Sequence, residues 1–380
     1  MKPNNENQHL RESIMNVSVI GCGYWGPNLI RNFYSAPDCH VSICADLDVK
    51  KLERMRRLFP GIQVTTDYKD ILRDPAIDAV AIATPVYLHY SLAKECLEAG
   101  KHIFVEKPLA ASTEECIDLI SLAEENGKIL MVGHTFEYNP AVNKAKEILE
   151  SGEIGDVLYI RCARLNLGLF QPDINVIWDL APHDISILLY LLGKNPISVN
   201  GQGQSHYFEK IEDVATATLN FDNGQIAFLY ASWLDPYKVR KMTIVGTKKM
   251  LVYDDTHPNE KIKIFDKGIE APAQYDNFGE FQFSYRYGDI FSPRIEEREP
   301  VKIECEHFLG CIRENKAPRS DGYSGMRVVA ILEAICESMK RKGALISMEN
   351  GFAFEPTQPS DDSANGKNGD LVYKQKRLLA

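Results

Sequence analysis

The chain of 380 residues has no run of about 18 consecutive apolar residues, so no membrane-spanning helix is expected. Paired cysteines are also lacking. The nine cysteines are scattered singly with no CxxC pair, and Cys305 and Cys311 have the wrong spacing for a zinc knuckle. Their odd count, and their place inside apolar patterns such as Val41–Cys44, point to reduced and mostly buried thiols. Met1 to Ser13 is polar and lacks the apolar centre of a signal peptide, so a cytoplasmic location is expected. Positive charge is not in excess. The 43 Lys and Arg are outnumbered by 53 Asp and Glu, and the formal net charge is -10. A general nucleic-acid surface is therefore not expected, although a local basic pocket for a phosphorylated ligand is still allowed. There is no internal repeat and no helix-turn-helix signature.

The length suggests two domains, at roughly 100–200 residues each. In the first part, short apolar runs rich in β-branched residues alternate with helical patterns. The runs are Asn16–Ile20, His40–Ala45, Asp78–Ala83, His102–Val105 and Ile129–Val132. Between them lie amphipathic stretches at Pro27–Phe33, Lys50–Phe59, Ser91–Ala99 and Glu114–Glu125, with Gly100 and Gly127 where helix stops belong. Strands that are apolar throughout predict a parallel sheet covered on both faces, an α/β Rossmann domain over 14–135. One more helix, Ala141–Glu150, precedes a change of period. Val157–Leu165, Ile197–His206, Thr216–Phe221, Gln225–Trp233, Lys241–Val245 and Lys249–Tyr253 are two-periodic, with a hairpin signal at Asp222-Asn223-Gly224. They predict an α+β domain over 136–350, built on a large, mostly antiparallel open sheet. Helices are expected at Pro182–Leu192, Val301–Arg313 and Met326–Lys340, the last two packing back towards the first domain. From Pro356 the chain is polar and poor in large apolar residues, so disorder is expected over 356–380.

Gly21-Cys22-Gly23-Tyr24-Trp25-Gly26 follows the first strand and opens a helix. In that context the first glycine permits the tight turn, the second lets the backbone approach a pyrophosphate, and the third lets helix and strand pack closely. Asp46 ends the second strand, about twenty residues further on, where a carboxylate can bind ribose hydroxyls. No Arg or Lys lies in Ala45–Val49 for a 2′-phosphate, which favours NAD over NADP. Asp48, the competing acid, suits the N-cap of the next helix. Two later strand ends reach the same crevice: Ala83-Thr84-Pro85 with His89 after it, and Glu106-Lys107-Pro108. The candidate cofactor residues are therefore Gly21, Gly23, Tyr24, Trp25, Gly26, Asp46, Thr84, Pro85, His89, Glu106 and Lys107.

Trp178-Asp179-Leu180-Ala181-Pro182-His183-Asp184 places Asp179 and His183 four apart, on one face if that turn is helical. Pro182 suits a helix start. A carboxylate with an imidazole can move the proton that accompanies a hydride. The same residues also read as a helix cap and a satisfied core histidine. As metal ligands they number only two, with His134 the sole third candidate, so no metal is expected.

Taken together, VSVIGCGYWG, Thr84-Pro85 with His89, VEKP at Val105–Pro108 and Asp179…His183 make the chain resemble the glucose–fructose oxidoreductase / inositol dehydrogenase / MocA-like family over about residues 14–350. The resemblance implies catalysis by Lys107, Asp179 and His183, NAD as cofactor, a sugar substrate, and a homo-oligomer (dimer or tetramer) assembled through the open sheet. Two features depart from the family pattern near the expected substrate pocket. Asn175–Trp178 stands where a glycine-rich stretch is usual, and Glu137 replaces an arginine. WDLAPHD looks most like members of surface-polysaccharide and nucleotide-sugar pathways, including UDP-N-acetylglucosaminuronate 3-dehydrogenases. An inositol, a free sugar, a sugar phosphate or a deoxy-ketosugar is an alternative substrate, and a non-enzymatic NAD-binding regulator an alternative role. Arg161, Arg164, Arg240 and Lys241 are candidates for a substrate diphosphate, with plain surface solvation the competing reading.

Overall fold

A computed structural model describes residues 14–270 and 284–348. The expected polar tail over 356–380 lies outside the described residues, as do Met1–Ser13 and the last two residues of the expected second domain. The first sheet has six parallel strands: β1 (Met15–Ile20), β2 (Cys39–Ala45), β3 (Gln63–Thr65), β4 (Ala79–Ile82), β5 (His102–Glu106) and β6 (Leu130–Gly133). Their spatial order is β3-β2-β1-β4-β5-β6, so the order reverses between β1 and β4. Helices α1 (Gly26–Ser35), α2 (Val49–Leu58), α3 (Lys69–Arg73), α4 (His89–Glu98) and α5 (Thr113–Glu125) make the crossovers. Val80, Ala81 and Ile82 are fully buried, as a strand covered on both faces requires. The short β3 and α3 were not legible, because a three-residue strand carries no period.

Helix boundaries follow cap chemistry. Asp48 caps α2 by accepting from the Lys50 amide, and Ser112 caps α5 by accepting from the Glu115 amide. Gly100 and Gly127 stop α4 and α5 in the left-handed region, at φ 74° and 60°.

The second sheet has nine strands. They are β7 (Val157–Leu167), β8 (Ser198–Gln204), β9 (Val214–Asn220), β10 (Ile226–Ser232), β11 (Leu234–Gly246), β12 (Met250–Asp254), β13 (Ile262–Glu270), β14 (Ser284–Phe291) and β15 (Ile346–Ser347). The order is β14-β13-β12-β11-β7-β10-β9-β8-β15, antiparallel except for β10 against β7. Asp222-Asn223-Gly224 turns β9 into β10, with Gly224 at φ 79°. On β10, Ala227, Leu229 and Ala231 point into the core while Phe228 and Tyr230 face out. One face is covered by α6 (Pro140–Glu150), α7 (Val176–Leu192) and part of α9 (Gly322–Lys340).

The last helices join both layers. Phe308, on α8 (Pro300–Glu314), is fully buried and meets Phe33 and Phe104 edge-on, at ring centroid distances of 6.2 and 5.8 Å. Edge-to-face pairs of this kind add about 0.5–1.5 kcal/mol each beyond the area they bury. Helix α9 sends Met326 and Val329 into the first core and Val328, Ile331 and Ile335 into the second. All nine cysteines are free. Among the described residues no helix is long and apolar enough to cross a membrane.

Candidate active site

The glycine turn sits at the carboxyl end of β1. Gly21 has φ 97°, and a Cβ there would stand 2.6 Å from the Ala83 carbonyl oxygen. A Cβ on Gly26 would stand 1.9 Å from the Gly21 oxygen. Both glycines are therefore required by the turn itself. Gly23 differs, because no heavy atom lies within 4 Å of its Cβ position. Its open side is what the close approach of a pyrophosphate needs. The Oγ1 of Thr84, at the end of β4, is buried with no hydrogen-bond partner among the described residues. Tyr24 is exposed and Trp25 packs its ring edge-on against it. Pro85 is exposed at the start of the next turn.

Asp46 accepts from the Cys22 amide through Oδ2 at 2.7 Å and from the Asp48 amide through Oδ1 at 2.8 Å. These bonds fix the carboxylate at the end of β2, where it can still accept from ribose hydroxyls. The fold also brings Lys51, from the first turn of α2, to 3.7 Å from Oδ1. That cation lies two residues beyond Ala45–Val49.

Two expected cofactor residues are placed otherwise. His89 is buried at the start of α4. Its Nδ1 lies 2.8 Å from the Pro108 carbonyl and its Nε2 2.8 Å from the Thr84 carbonyl, so the ring lies between the ends of β4 and β5, and the neutral form that burial favours donates to one of the two. Glu106 alternates with Lys107 along the strand end and points the other way. Its carboxyl packs at Gly133, and burial pushes it up to about 7. It shares that side of the sheet with the fully buried Glu304, which accepts from the Thr135 hydroxyl at 2.8 Å.

Lys107, Asp179 and His183 come together. Helix α7 starts six residues earlier than the sequence predicts. Asn175 caps it by accepting from the Trp178 amide, so the unusual Asn175–Trp178 stretch is the helix's first turn. Pro182 is therefore inside the helix, not at its start. It offers no N–H to the Trp178 carbonyl and crowds that turn. In the same turn the Asp179 carbonyl accepts from Lys107 Nζ at 2.8 Å, and Asp179 Oδ1 lies 3.9 Å from that ammonium. Asp179 Oδ2 is taken by the Trp233 indole N–H at 2.9 Å.

His183 stacks edge-on against Phe136 at 5.0 Å, and its Nδ1 is buried with no partner among the described residues. Burial first, then the Lys107, Arg164 and Arg240 cations, holds this imidazole well below its usual range, so it is neutral at pH 7. Burial likewise lowers the Lys107 ammonium, against the pull of Asp179 and Glu106. Nearby His134 is fully buried, held down to about 3 by burial and by Lys107. Among the described residues no cluster of three or more His, Cys, Asp or Glu side chains could hold a metal ion.

Of the four diphosphate candidates, Arg164 is unavailable. It is buried and paired with Asp184 through two hydrogen bonds of 3.2 and 2.7 Å, with its guanidinium over the Phe136 ring at 4.7 Å. Arg240 pairs with Asp255 and Lys241 with Asp254, while Arg161 is exposed. Glu137, expected beside the substrate, is buried and pushed up to about 8 by desolvation, with Arg319, Asp321 and Arg327 around it. The Trp233–Asp179 bond and the Arg164–Asp184 pair have no local sequence signal.

Comparison with known proteins adds to this geometry. A family model described as "Oxidoreductase family, NAD-binding Rossmann fold" matches residues 15–134, and the "GFO/IDH/MocA C-terminal domain" matches residues 142–252. The chain is 28% identical to a UDP-N-acetylglucosamine 3-dehydrogenase of Acidithiobacillus ferrooxidans over 331 residues, 83% of this chain and 94% of the relative. It is also 28% identical to a scyllo-inositol 2-dehydrogenase (NAD(+)) of Bacillus subtilis over 319 residues, covering 81% and 89%. A solved structure of the Acidithiobacillus ferrooxidans UDP-N-acetylglucosamine 3-dehydrogenase superposes with a TM-score of 0.70 at 26% identity, covering 86% of this chain and 99% of that one.

Proposed function

Because the chain belongs to the GFO/IDH/MocA oxidoreductase family and is an NAD-dependent sugar or polyol dehydrogenase, we propose that its substrate is a nucleotide sugar, a UDP-N-acetylhexosamine or its uronate, oxidised at C3. The observation that supports the catalytic part is the contact of Lys107, at the carboxyl end of β5, with Asp179 on α7, one helical turn before His183. NAD supplies the hydride acceptor when bound, held by Gly21, Gly23, Gly26, Asp46 and Thr84. His183, neutral in its buried setting, takes the proton from the secondary hydroxyl. Lys107 stabilises negative charge developing on that oxygen. Asp179 orients the sugar through Oδ1. In the reverse direction the same groups protonate a ketone.

The likeness to the UDP-N-acetylglucosamine 3-dehydrogenase supports the nucleotide-sugar reading, and the equal likeness to an inositol dehydrogenase defines its rival. Leu158, Tyr159, Phe228 and Tyr230 are exposed on the open face of the second sheet and support self-association there. We place the enzyme in the cytoplasm, in keeping with its nine free thiols.

The test measures NADH formation across UDP-sugars, free sugars, sugar phosphates and inositols. The highest kcat/KM is expected for a UDP-N-acetylhexosamine or its uronate. Lys107→Ala and His183→Ala should each lower kcat about 100- to 10,000-fold while NADH still binds. Faster turnover of an inositol would replace the substrate. Tight NADH binding with no turnover of any of them would favour a regulator. Undiminished activity in either variant would sink the mechanism.

A further inference from the structure

Resting on the dehydrogenase reading above, we propose that Trp233 is a positioning residue: its indole decides which oxygen of Asp179 faces the substrate. An indole N–H can only donate, and this one donates to Asp179 Oδ2 at 2.9 Å. Among the described residues that leaves Oδ1 without a hydrogen bond. It lies 3.9 Å from Lys107 Nζ, too far for a direct hydrogen bond, and the ammonium is instead satisfied by the Asp179 carbonyl at 2.8 Å. A carboxylate and an ammonium so close would otherwise close the gap. The indole holds them apart, and a substrate hydroxyl next to the reacting one can lie across both, donating to Oδ1 while its oxygen accepts from the ammonium; the reacting hydroxyl keeps its proton for His183.

The indole itself is fixed from several directions. Trp233 is 1% exposed. Its amide donates to the Asp213 carbonyl at 2.9 Å, and its carbonyl accepts from the Gly168 amide at 3.0 Å. The Phe170 ring lies against it at 5.5 Å. A Cβ on Gly168 would stand 2.9 Å from the indole Cδ1, so the backbone there is bare where the ring passes. A donor held this firmly loses little freedom when it binds its acceptor, which is the condition for preorganised electrostatics. Without it the carboxylate can rotate onto Lys107, and each then neutralises the group meant for the substrate.

The experiment replaces Trp233 with Phe, which keeps an aromatic ring against Phe170 but has no N–H. Parent turnover is measured first, and if no sugar is oxidised the dehydrogenase reading fails and this proposal falls with it. Given turnover, Trp233→Phe should lower kcat about 10- to 100-fold, the range for losing a hydrogen bond to a charged group. KM for the sugar should change less and NADH affinity should stay near the parent value, while the smaller ring at a buried site lowers the melting temperature by roughly 2–4 °C per kcal/mol lost. Combined with Asp179→Asn, the loss should be no larger than from Asp179→Asn alone, because the two act as one unit. A parent-like kcat in Trp233→Phe, or additive losses in the double variant, would overturn the proposal while leaving the dehydrogenase reading intact. A merely structural role predicts additive losses of kcat in the double variant, whatever the melting temperature. If Trp233→Phe does not fold, the indole N–H signals of the folded parent decide. Phe replacements at Trp25 and Trp178 identify two of the three, and Asp179→Asn must shift the third. An unmoved third signal would overturn the proposal equally.

Discussion

Replacing Gly23 and Gly26 separately by alanine should split two roles that one glycine motif carries. At Gly26 the new methyl would stand 1.9 Å from the Gly21 carbonyl oxygen, and a backbone oxygen cannot move without opening the turn. Overpacking of this kind costs about 1–3 kcal/mol or more, which lowers the melting temperature by roughly 2–4 °C per kcal/mol for a domain of 150–250 residues. At Gly23 the methyl meets no heavy atom within 4 Å, and φ lies outside the left-handed region. Gly23→Ala should therefore leave the free protein as stable as the parent, or more so by about 0.4–1 kcal/mol. Its effect falls on the ligand, because the methyl fills the space a pyrophosphate needs against the backbone. Loss of one hydrogen bond to a charged group, about 1.5–3 kcal/mol, corresponds to roughly 10- to 100-fold weaker NADH binding. Gly310→Ala, inside α8 with nothing within 4 Å of its Cβ position, is the control. It should stabilise by up to about 1 kcal/mol and leave NADH affinity alone. The assays are a thermal melt of the free chain and a fluorescence titration with NADH. Parent-like NADH affinity in Gly23→Ala, or a stability loss as large as in Gly26→Ala, would refute the assignment of the cofactor to this turn.

Two further predictions concern buried charge. Asp184→Asn strands the Arg164 guanidinium in the core and should cost about 3–5 kcal/mol in urea unfolding, whereas Arg164→Met with Asp184→Leu should cost far less; equal losses would refute the pairing argument. Glu106 and Glu137, raised to about 7 and about 8, bind protons more tightly folded than unfolded, so their contribution is full below pH 4.5 and is lost as pH rises through those values. Buried His89, His102, His134 and His183 act in the opposite sense below about 6.5, and the lowered Lys101 and Lys107 ammonium groups do so at alkaline pH, so the carboxyl contribution is read as a difference: between pH 7 and 8.5 the urea midpoint of the parent should fall relative to that of Glu137→Gln, and parallel profiles would contradict the burial of that carboxyl.

What the sequence by itself determined is the part whose physics is local. Strand, glycine turn and helix follow one another within Met15–Ser35, and steric rules at Gly21 and Gly26 suffice to specify the turn. The caps at Asp48 and Ser112, the hairpin at Asp222–Gly224 and the alternation along β10 are likewise decided by neighbours in the chain. Lys107, Asp179 and His183 were legible as candidates because each stands in a short motif at a strand end or on one helix face.

Only the tertiary structure decided what those side chains meet. Helix α7 begins at an asparagine cap, and the proline inside it breaks the usual start rule. His89 and Glu106 have the right place along the chain, but the former lies buried between two carbonyls and the latter is turned to the far side of the strand. Arg164 looks like a surface cation until Asp184, from the neighbouring helix, takes it into the core. Trp233 reaches Asp179 across 54 residues, a distance that only the register of β7, β10 and β11 converts into a hydrogen bond. Such contacts depend on the order of strands in a sheet and on which helix covers it, and neither propensity nor spacing encodes them.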